Sequence, residues 1–258
     1  MADEVLYEKL ADGIVVVTLD RPEKRNAVSP ELAAGLDAAV KSTEADPEVR
    51  VVILTSSNDK VFCAGADLKA VSEGRGPQLS TPDGGFAGFV LAKRSKPWIA
   101  AVIGTAVAGG CEICLACDMI VASDEAKFGL PEPQRGLMAG AGGVTRLPRA
   151  IPRHVALEMV ATGDPIDAQR AHALGLANRV VPAKQVMEEA MKLARRIAGN
   201  APLAVQESLK LARATAFLNE DEIQAETAAG LARLRDTEDF KEGPKAFVEK
   251  RAPVWKGR

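Results

Sequence analysis

The stretch "GIVVVTLDRPEKRNAVSPELAAGLDAAVKSTEADPEVRVVILT", residues 13–55, holds two short β-branched runs, 13–19 and 49–55, with a helical pattern between them. Each run is apolar at consecutive positions rather than at alternate ones, which suits a strand covered on both faces. Between the runs, Ser29 is placed to cap a helix and Pro30 occupies its first position. Leu32, Leu36 and Val40 then mark one helical face. Strands alternating with helices predict the α/β class. "PWIAAVI" (97–103) and "DMIVAS" (118–123) extend the strand series. "SEGRGPQLSTPDGG" (72–85) is rich in Gly, Ser and Pro and reads as a mobile loop, a candidate lid. After about residue 145 the pattern turns helical, as in "AKQVMEEAMKLARRIAG", "APLAVQESLKLARAT" and "EDEIQAETAAGLARLRDT". An α/β core followed by a helical region is the expected organisation.

The 258 residues are 47% hydrophobic, enough for one large domain with a sizeable core. Thirty-three basic against 35 acidic residues leave a net charge of −2, which argues against a nucleic-acid partner. The opening "MADEVLYEKLADGI" lacks a basic stretch followed by an apolar core, so no signal peptide is expected. No apolar run reaches the roughly 18 to 20 residues that span a membrane, and four cysteines make no secreted disulfide framework. A cytoplasmic protein is the expectation. Two histidines, His154 and His172, speak against a histidine-based metal site or triad.

Three of the four cysteines fall in "AVAGGCEICLACDM" (106–119), around Glu112. The spacing of Cys111, Cys114 and Cys117 resembles the start of a ferredoxin run, but neither the fourth cysteine nor its proline follows. The thiols are therefore read as apolar packing and no metal is expected. Glu112, behind two glycines in an apolar run, admits two readings. It is either a solvated side chain in a helix's first turn, or a buried carboxyl whose raised pKa suits acid–base work. Two further segments bear on the choice. "KVFCAGADLKA" (60–70) runs from a strand end into a glycine turn able to present backbone N–H groups to a developing negative charge. "AKFGLPEPQRGLMAGAGGVTRLPR" (126–149) carries Glu132 in a second apolar-flanked turn.

Taken in order, "LDRPEKRNAVSPEL" (19–32), "FCAGADL" (62–68), "GGCE" (109–112), "LPEPQRGL" (130–137) and the terminal "GPKAFVEKRAPVWKGR" resemble the enoyl-CoA hydratase/isomerase (crotonase) family over nearly the whole chain. "DLKAVSEGRGPQ", "GGFAGF" and the terminal segment look like the branch that interconverts crotonobetainyl-CoA and carnitinyl-CoA. The resemblance implies a crotonase (ClpP-like) superhelix of ββα units. Residues 1–195 would form the core, and 196–258 a helical oligomerisation region that makes a homotrimer or a dimer of trimers. It implies that the backbone N–H groups of Ala66 and Gly109 form an oxyanion hole and that Glu112 and Glu132 are catalytic. Coenzyme A enters as part of an acyl-CoA substrate, with no other cofactor. Lys24, Arg25, Ala64, Asp67, Leu68 and Lys69 would line the coenzyme A site. Phe86 and Phe89 are candidates for the acyl pocket, where a trimethylammonium tail needs an aromatic or anionic surface. Members that only move a double bond commonly lack one glutamate, so hydration is favoured. An isomerase using mainly Glu132, and a non-catalytic acyl-CoA- or RNA-binding protein, are the alternatives. Ala108 and Ala139 stand where the family more often has glycine and proline.

Overall fold

Valine- and isoleucine-rich segments without polar alternation leave both faces of a sheet to be covered, and both are covered here. A computed structural model describes residues 4–258; the first three residues of the segment read above for a signal peptide lie outside them. The elements of the first half are β1 (Val5–Lys9), β2 (Ile14–Leu19), α1 (Pro30–Ala45), β3 (Val51–Ser56), β4 (Val61–Cys63), α2 (Leu68–Ser72), β5 (Ser80–Thr81), β6 (Gly85–Phe86), β7 (Trp98–Val102), β8 (Thr105–Val107), α3 (Gly109–Ala116), β9 (Met119–Ser123) and β10 (Lys127–Gly129). Then follow α4 (Gly143–Ala150), α5 (Arg153–Thr162), β11 (Ile166–Asp167), α6 (Ala168–Ala173), β12 (Arg179–Val181), α7 (Val186–Ala198), α8 (Pro202–Ala214), α9 (Glu220–Arg235) and α10 (Glu238–Glu249).

The larger sheet runs β1-β2-β3-β7-β9-β12 and is parallel except between β1 and β2. Successive side chains leave a strand on opposite faces. Val15, Val17, Val52, Leu54, Trp98 and Ala100 therefore enter the main core with Leu32 and Leu36 of α1. Ile14, Val16, Val51, Ile53, Ile99 and Ala101 enter a second core, closed by Val186, Ala190 and Ala194 at four-residue spacing on α7. Ser29 caps α1 as its sequence position predicts, accepting a 2.9 Å hydrogen bond from the Leu32 N–H.

A smaller sheet, β11-β10-β8-β4, explains the site. In each of the pairs β3–β4, β7–β8 and β9–β10, the first strand joins the large sheet and the second joins the small one. β4, β8 and β10 are mutually parallel, so three successive units end side by side at one edge. The residues that follow those ends are Ala64–Asp67, Ala108–Glu112 and Leu130–Glu132.

Residues 72–85, read as a mobile loop and candidate lid, carry ordered elements. They hold a 3-10 turn, Gly76–Leu79, and the β5–β6 hairpin, with Leu79 in the main core and the Thr81 hydroxyl donating to Asp37 Oδ1 at 2.8 Å. The boundary placed after residue 195 falls inside α7, whose last residue, Ala198, packs in the second core. Residues 199–201 link α7 to α8. There the chain end folds back: Arg50 Nη1 donates to the Ala198 carbonyl at 2.7 Å, and Trp255 Nε1 to that of Gly199 at 2.8 Å.

Candidate active site

The three strand ends open onto a cavity of about 1350 Å³. Glu112 and Glu132 line it, as do Ala66, Gly109, Phe86, Lys24, Arg25, Ala64, Asp67 and Leu68.

Ala66 is extended beside Val28, and the main-chain pairing fixes where its N–H points. The Val28 N–H donates to the Gly65 carbonyl at 2.7 Å, and the Asp67 N–H donates to the Val28 carbonyl at 3.0 Å. Since directions alternate along an extended chain, the intervening Ala66 N–H faces the other side. Gly109 opens α3, where an N–H has no carbonyl one turn earlier to bond. The segments carrying these two donors touch. A methyl built on Gly65, at φ 92°, would stand 2.9 Å from Gly109 N, and one built on Gly110 would stand 2.1 Å from the Cys63 carbonyl oxygen. Only glycine permits that approach. Ala108, directly before Gly109, has φ 51° and ψ −129°, a conformation alanine adopts only under strain.

Glu112 projects from the first turn of α3, and only 3% of it is exposed. Its Oε1 accepts a 2.9 Å hydrogen bond from the Gly143 N–H at the start of α4. Burial drives its pKa from the ordinary 4.5 up to about 7, and the nearby Glu132 charge pushes the same way. The Gly143 bond and the Arg146 charge oppose the rise without reversing it. Glu132 lies in a 3-10 turn after β10, is 9% exposed, and is likewise raised by burial. Its Oε2 is buried and has no hydrogen-bond partner. A buried carboxyl oxygen without a partner is costly, and a bound water or substrate atom would relieve that cost. The first of the two readings of Glu112, a solvated side chain, is therefore excluded by its burial.

Of the residues singled out for coenzyme A, Ala64 and Leu68 line the cavity, and the turn bearing Lys24 and Arg25 is tied to it through the Ala64 N–H, which donates to the Arg25 carbonyl at 3.1 Å. Lys69 points elsewhere: it is exposed and pairs with Glu73 at 3.8 Å. Asp67 reaches the cavity wall, but its carboxylate is occupied. It caps α2 by accepting from the Lys69 N–H and holds Arg21 Nη1 at 2.7 Å. Phe86 does reach the site, lying so close to Gly109 that an added methyl there would sit 2.4 Å from its ring. Phe89 does not. It is fully buried, edge-on to Trp98 at 4.9 Å between ring centroids, with the Arg94 guanidinium 3.9 Å over its ring. The acyl-pocket expectation for Phe89 fails because the core takes the ring. Cys63, Cys111 and Cys114 are core residues too.

Sequence reading missed two side chains. Asn26, fully buried in a left-handed conformation, accepts from the Arg21 N–H at 2.7 Å and donates to Ser56 Oγ and the Phe62 carbonyl at 2.8 and 3.0 Å. It thereby fixes the turn that carries Lys24 and Arg25. The asparagine in "EKRNAV" was its only signal. Arg146 donates to the carbonyls of Ala141 and Val90, joining the wall behind Glu112 to the segment after the hairpin. No local pattern announces it.

The enoyl-CoA hydratase/isomerase family profile matches residues 9–258. The carnitinyl-CoA dehydratase of Proteus mirabilis (strain HI4320) is 43% identical over 251 residues, 95% of this chain and 96% of that protein. The carnitinyl-CoA dehydratase of Salmonella typhi is 42% identical over 250 residues, 95% of each. Among solved structures, an enoyl-CoA hydratase from Mycobacterium tuberculosis H37Rv superposes with a TM-score of 0.94 at 40% identity, over 99% of both chains. A carnitinyl-CoA hydratase from Mycobacterium avium does so at 0.78 and 44% identity, over 100% of both. With its strand ends, touching glycine segments and paired carboxyls so arranged, the chain belongs to the enoyl-CoA hydratase/isomerase family.

Proposed function

We propose that Glu112 and Glu132 add water reversibly across the C2=C3 bond of a 2-enoyl-CoA, with the Ala66 and Gly109 N–H groups holding the thioester oxygen. The observation that carries this reading is the pair of buried carboxyls, both raised in pKa, lining one cavity with Ala66 and Gly109. Near neutral pH such a pair holds one proton between its members more readily than an ordinary glutamate pair does. The ionised carboxylate takes a proton from water as the water oxygen bonds to C3, and the π electrons move toward the thioester. The protonated partner then gives its proton to C2. The two glutamates have exchanged protonation states, and exchange with solvent restores them. An α-carbon is too weakly acidic for an unaided carboxylate, so the two donors must stabilise the enolate, each worth about 3 to 4 kcal/mol.

In this reading coenzyme A is part of the substrate, held by Lys24, Arg25, Ala64 and Leu68, and no metal or further cofactor takes part. The protein works in the cytoplasm as a homotrimer or dimer of trimers. Exposed apolar side chains on α9 and α10, Leu231, Phe240, Phe247 and Val248, support that assembly. No helix among the described residues is long and apolar enough to cross a membrane.

The test is the ultraviolet absorbance of the conjugated thioester of crotonyl-CoA. Wild-type protein should bleach it. Glu112→Gln and Glu132→Gln should each slow the loss by roughly 10²- to 10⁴-fold with coenzyme A binding kept. Unchanged turnover in either variant would sink the assignment.

A further inference from the structure

The relatives named above differ in their printed activities, and the tail of the acyl group is where they would diverge. This inference rests on the reaction just proposed. The charges around the two glutamates are informative. Three arginines, Arg135, Arg146 and Arg149, line the same cavity. None has a carboxylate within ion-pair distance among the described residues. Arg135 Nη1 donates to the Pro131 carbonyl at 3.3 Å, Arg146 donates to the carbonyls of Ala141 and Val90, and Arg149 stacks 4.4 Å over the Phe217 ring. Each guanidinium thus keeps its positive charge; Arg146 spends donors on both Nη atoms, Arg135 spends one Nη1 donor, and Arg149 engages only its flat face. The carboxylates on the cavity wall are Glu112, Glu132 and Asp67. Two of these are assigned to the reaction, and Asp67 is held by Arg21.

The apolar side chains complete the picture. Leu91, Met138 and Phe217 are 66%, 70% and 70% exposed, yet all three line this cavity. Large apolar groups left open beside a buried site need an apolar occupant. A quaternary ammonium would find no unassigned carboxylate here and three guanidinium cations, none of them held in an ion pair. Phe86 and Phe217 are the aromatic rings on the wall. Phe217 already carries the Arg149 guanidinium, and Phe86 is packed over Gly109. A carboxylate tail would find positive charge, and Arg149 keeps its in-plane donors, but that tail would have to shed its water against Leu91, Met138 and Phe217.

We propose that Arg135, Arg146 and Arg149 set the acyl specificity of this chain: they exclude a cationic tail, and the Leu91–Met138–Phe217 wall selects an uncharged hydrocarbon one. The chain would then share the reaction of its carnitinyl-CoA relatives but not the tail that their names imply. Burying one methylene favours binding by about fourfold, so partial burial of four additional carbons is worth tenfold or more.

The experiment measures kcat/KM by loss of thioester absorbance for four substrates: crotonyl-CoA, trans-2-octenoyl-CoA, an octenoyl-length 2-enoyl-CoA ending in a carboxylate, and crotonobetainyl-CoA. The octenoyl thioester is expected at least tenfold above crotonyl-CoA, and crotonobetainyl-CoA at least tenfold below it. The carboxylate-ended thioester should fall below octenoyl-CoA. Met138→Ala should reduce the octenoyl-to-crotonyl ratio severalfold. Arg149→Gln should raise the ratio of crotonobetainyl-CoA to crotonyl-CoA. Crotonobetainyl-CoA turned over as fast as crotonyl-CoA, or the carboxylate-ended tail preferred to the hydrocarbon, would overturn the inference while leaving the reaction intact. Failure to hydrate any of the four would instead count against the reaction itself.

Discussion

Replacing Glu112 by glutamine should make the protein both inactive and more stable, and the gain should depend on pH in a direction that burial dictates. A carboxyl whose pKa rises on folding keeps its proton to higher pH in the folded state than in the unfolded one. Between 4.5 and about 7 the folded protein therefore binds more protons, and stability falls as pH rises through that window. Below the unfolded value, wild-type protein and variant carry the same neutral side chain. Above about 7 the wild type must hold a buried charge and the variant need not. At about 1.4 kcal/mol per pH unit, a rise from 4.5 to about 7 corresponds to about 3 kcal/mol as a ceiling. Glutamine keeps an oxygen for the Gly143 N–H, so that bond survives. For a chain of this size, 1 kcal/mol moves Tm by about 2 to 4 °C. The Tm difference between Glu112→Gln and wild type should thus be near zero at pH 4.5 and several degrees in the variant's favour at pH 8. Paired scanning calorimetry at a series of pH values measures it. A difference that stays flat with pH, or one that turns against the variant at pH 8, would refute the assignment of a buried, raised carboxyl.

Three further outcomes can be checked separately. Ala108→Gly should raise Tm, because relief of a strain of about 1 to 3 kcal/mol exceeds the 0.5 to 1 kcal/mol entropic cost of a glycine; a lower Tm would show that the alanine is unstrained. Gly110→Ala should cost more than about 2 kcal/mol in urea unfolding, since its methyl meets the Cys63 carbonyl and neither backbone can retreat. The buried thiols of Cys63, Cys111 and Cys114 are all pushed up by desolvation, Cys63 to about 12. A colorimetric thiol reagent at pH 8 should therefore titrate at most one fast-reacting cysteine in native protein and all four after denaturation.

The long strands and α1 were legible because five or six consecutive, largely apolar residues, or a Ser–Pro start with Leu32 and Leu36 behind it, leave a signal. β2, β3, β7 and β9 lie within the runs quoted from the sequence or one residue beyond them. β4, β8 and β10 are three residues each. No period can be read from three residues, so the small sheet that aligns the turns bearing Glu112 and Glu132 was not visible from pattern alone; it was implied only by family resemblance. Glu112 was legible as a carboxyl in an apolar run, but whether water reached it was decided by Gly143 and α4, packed from thirty residues further on. Phe86 and Phe89 looked equivalent in "GGFAGF". The hairpin turns one ring onto Gly109 and the other into the core against Trp98. Arg146 was silent, because its partners are carbonyls of Ala141 and Val90, and a carbonyl has no residue signature.

The contact between the Ala66 and Gly109 segments also constrains how such a site can diversify. One wall of the cleft is a seam between two consecutive structural units, closed by missing side chains at Gly65 and Gly110. Adding even a methyl there separates the donors, so that wall offers natural variation nothing to work with. Leu91, Leu137 and Met138 also line the cavity, and there it is side chains rather than absent ones that form its surface. New acyl preferences, whether inherited or engineered, should therefore accumulate at those side chains rather than at the seam.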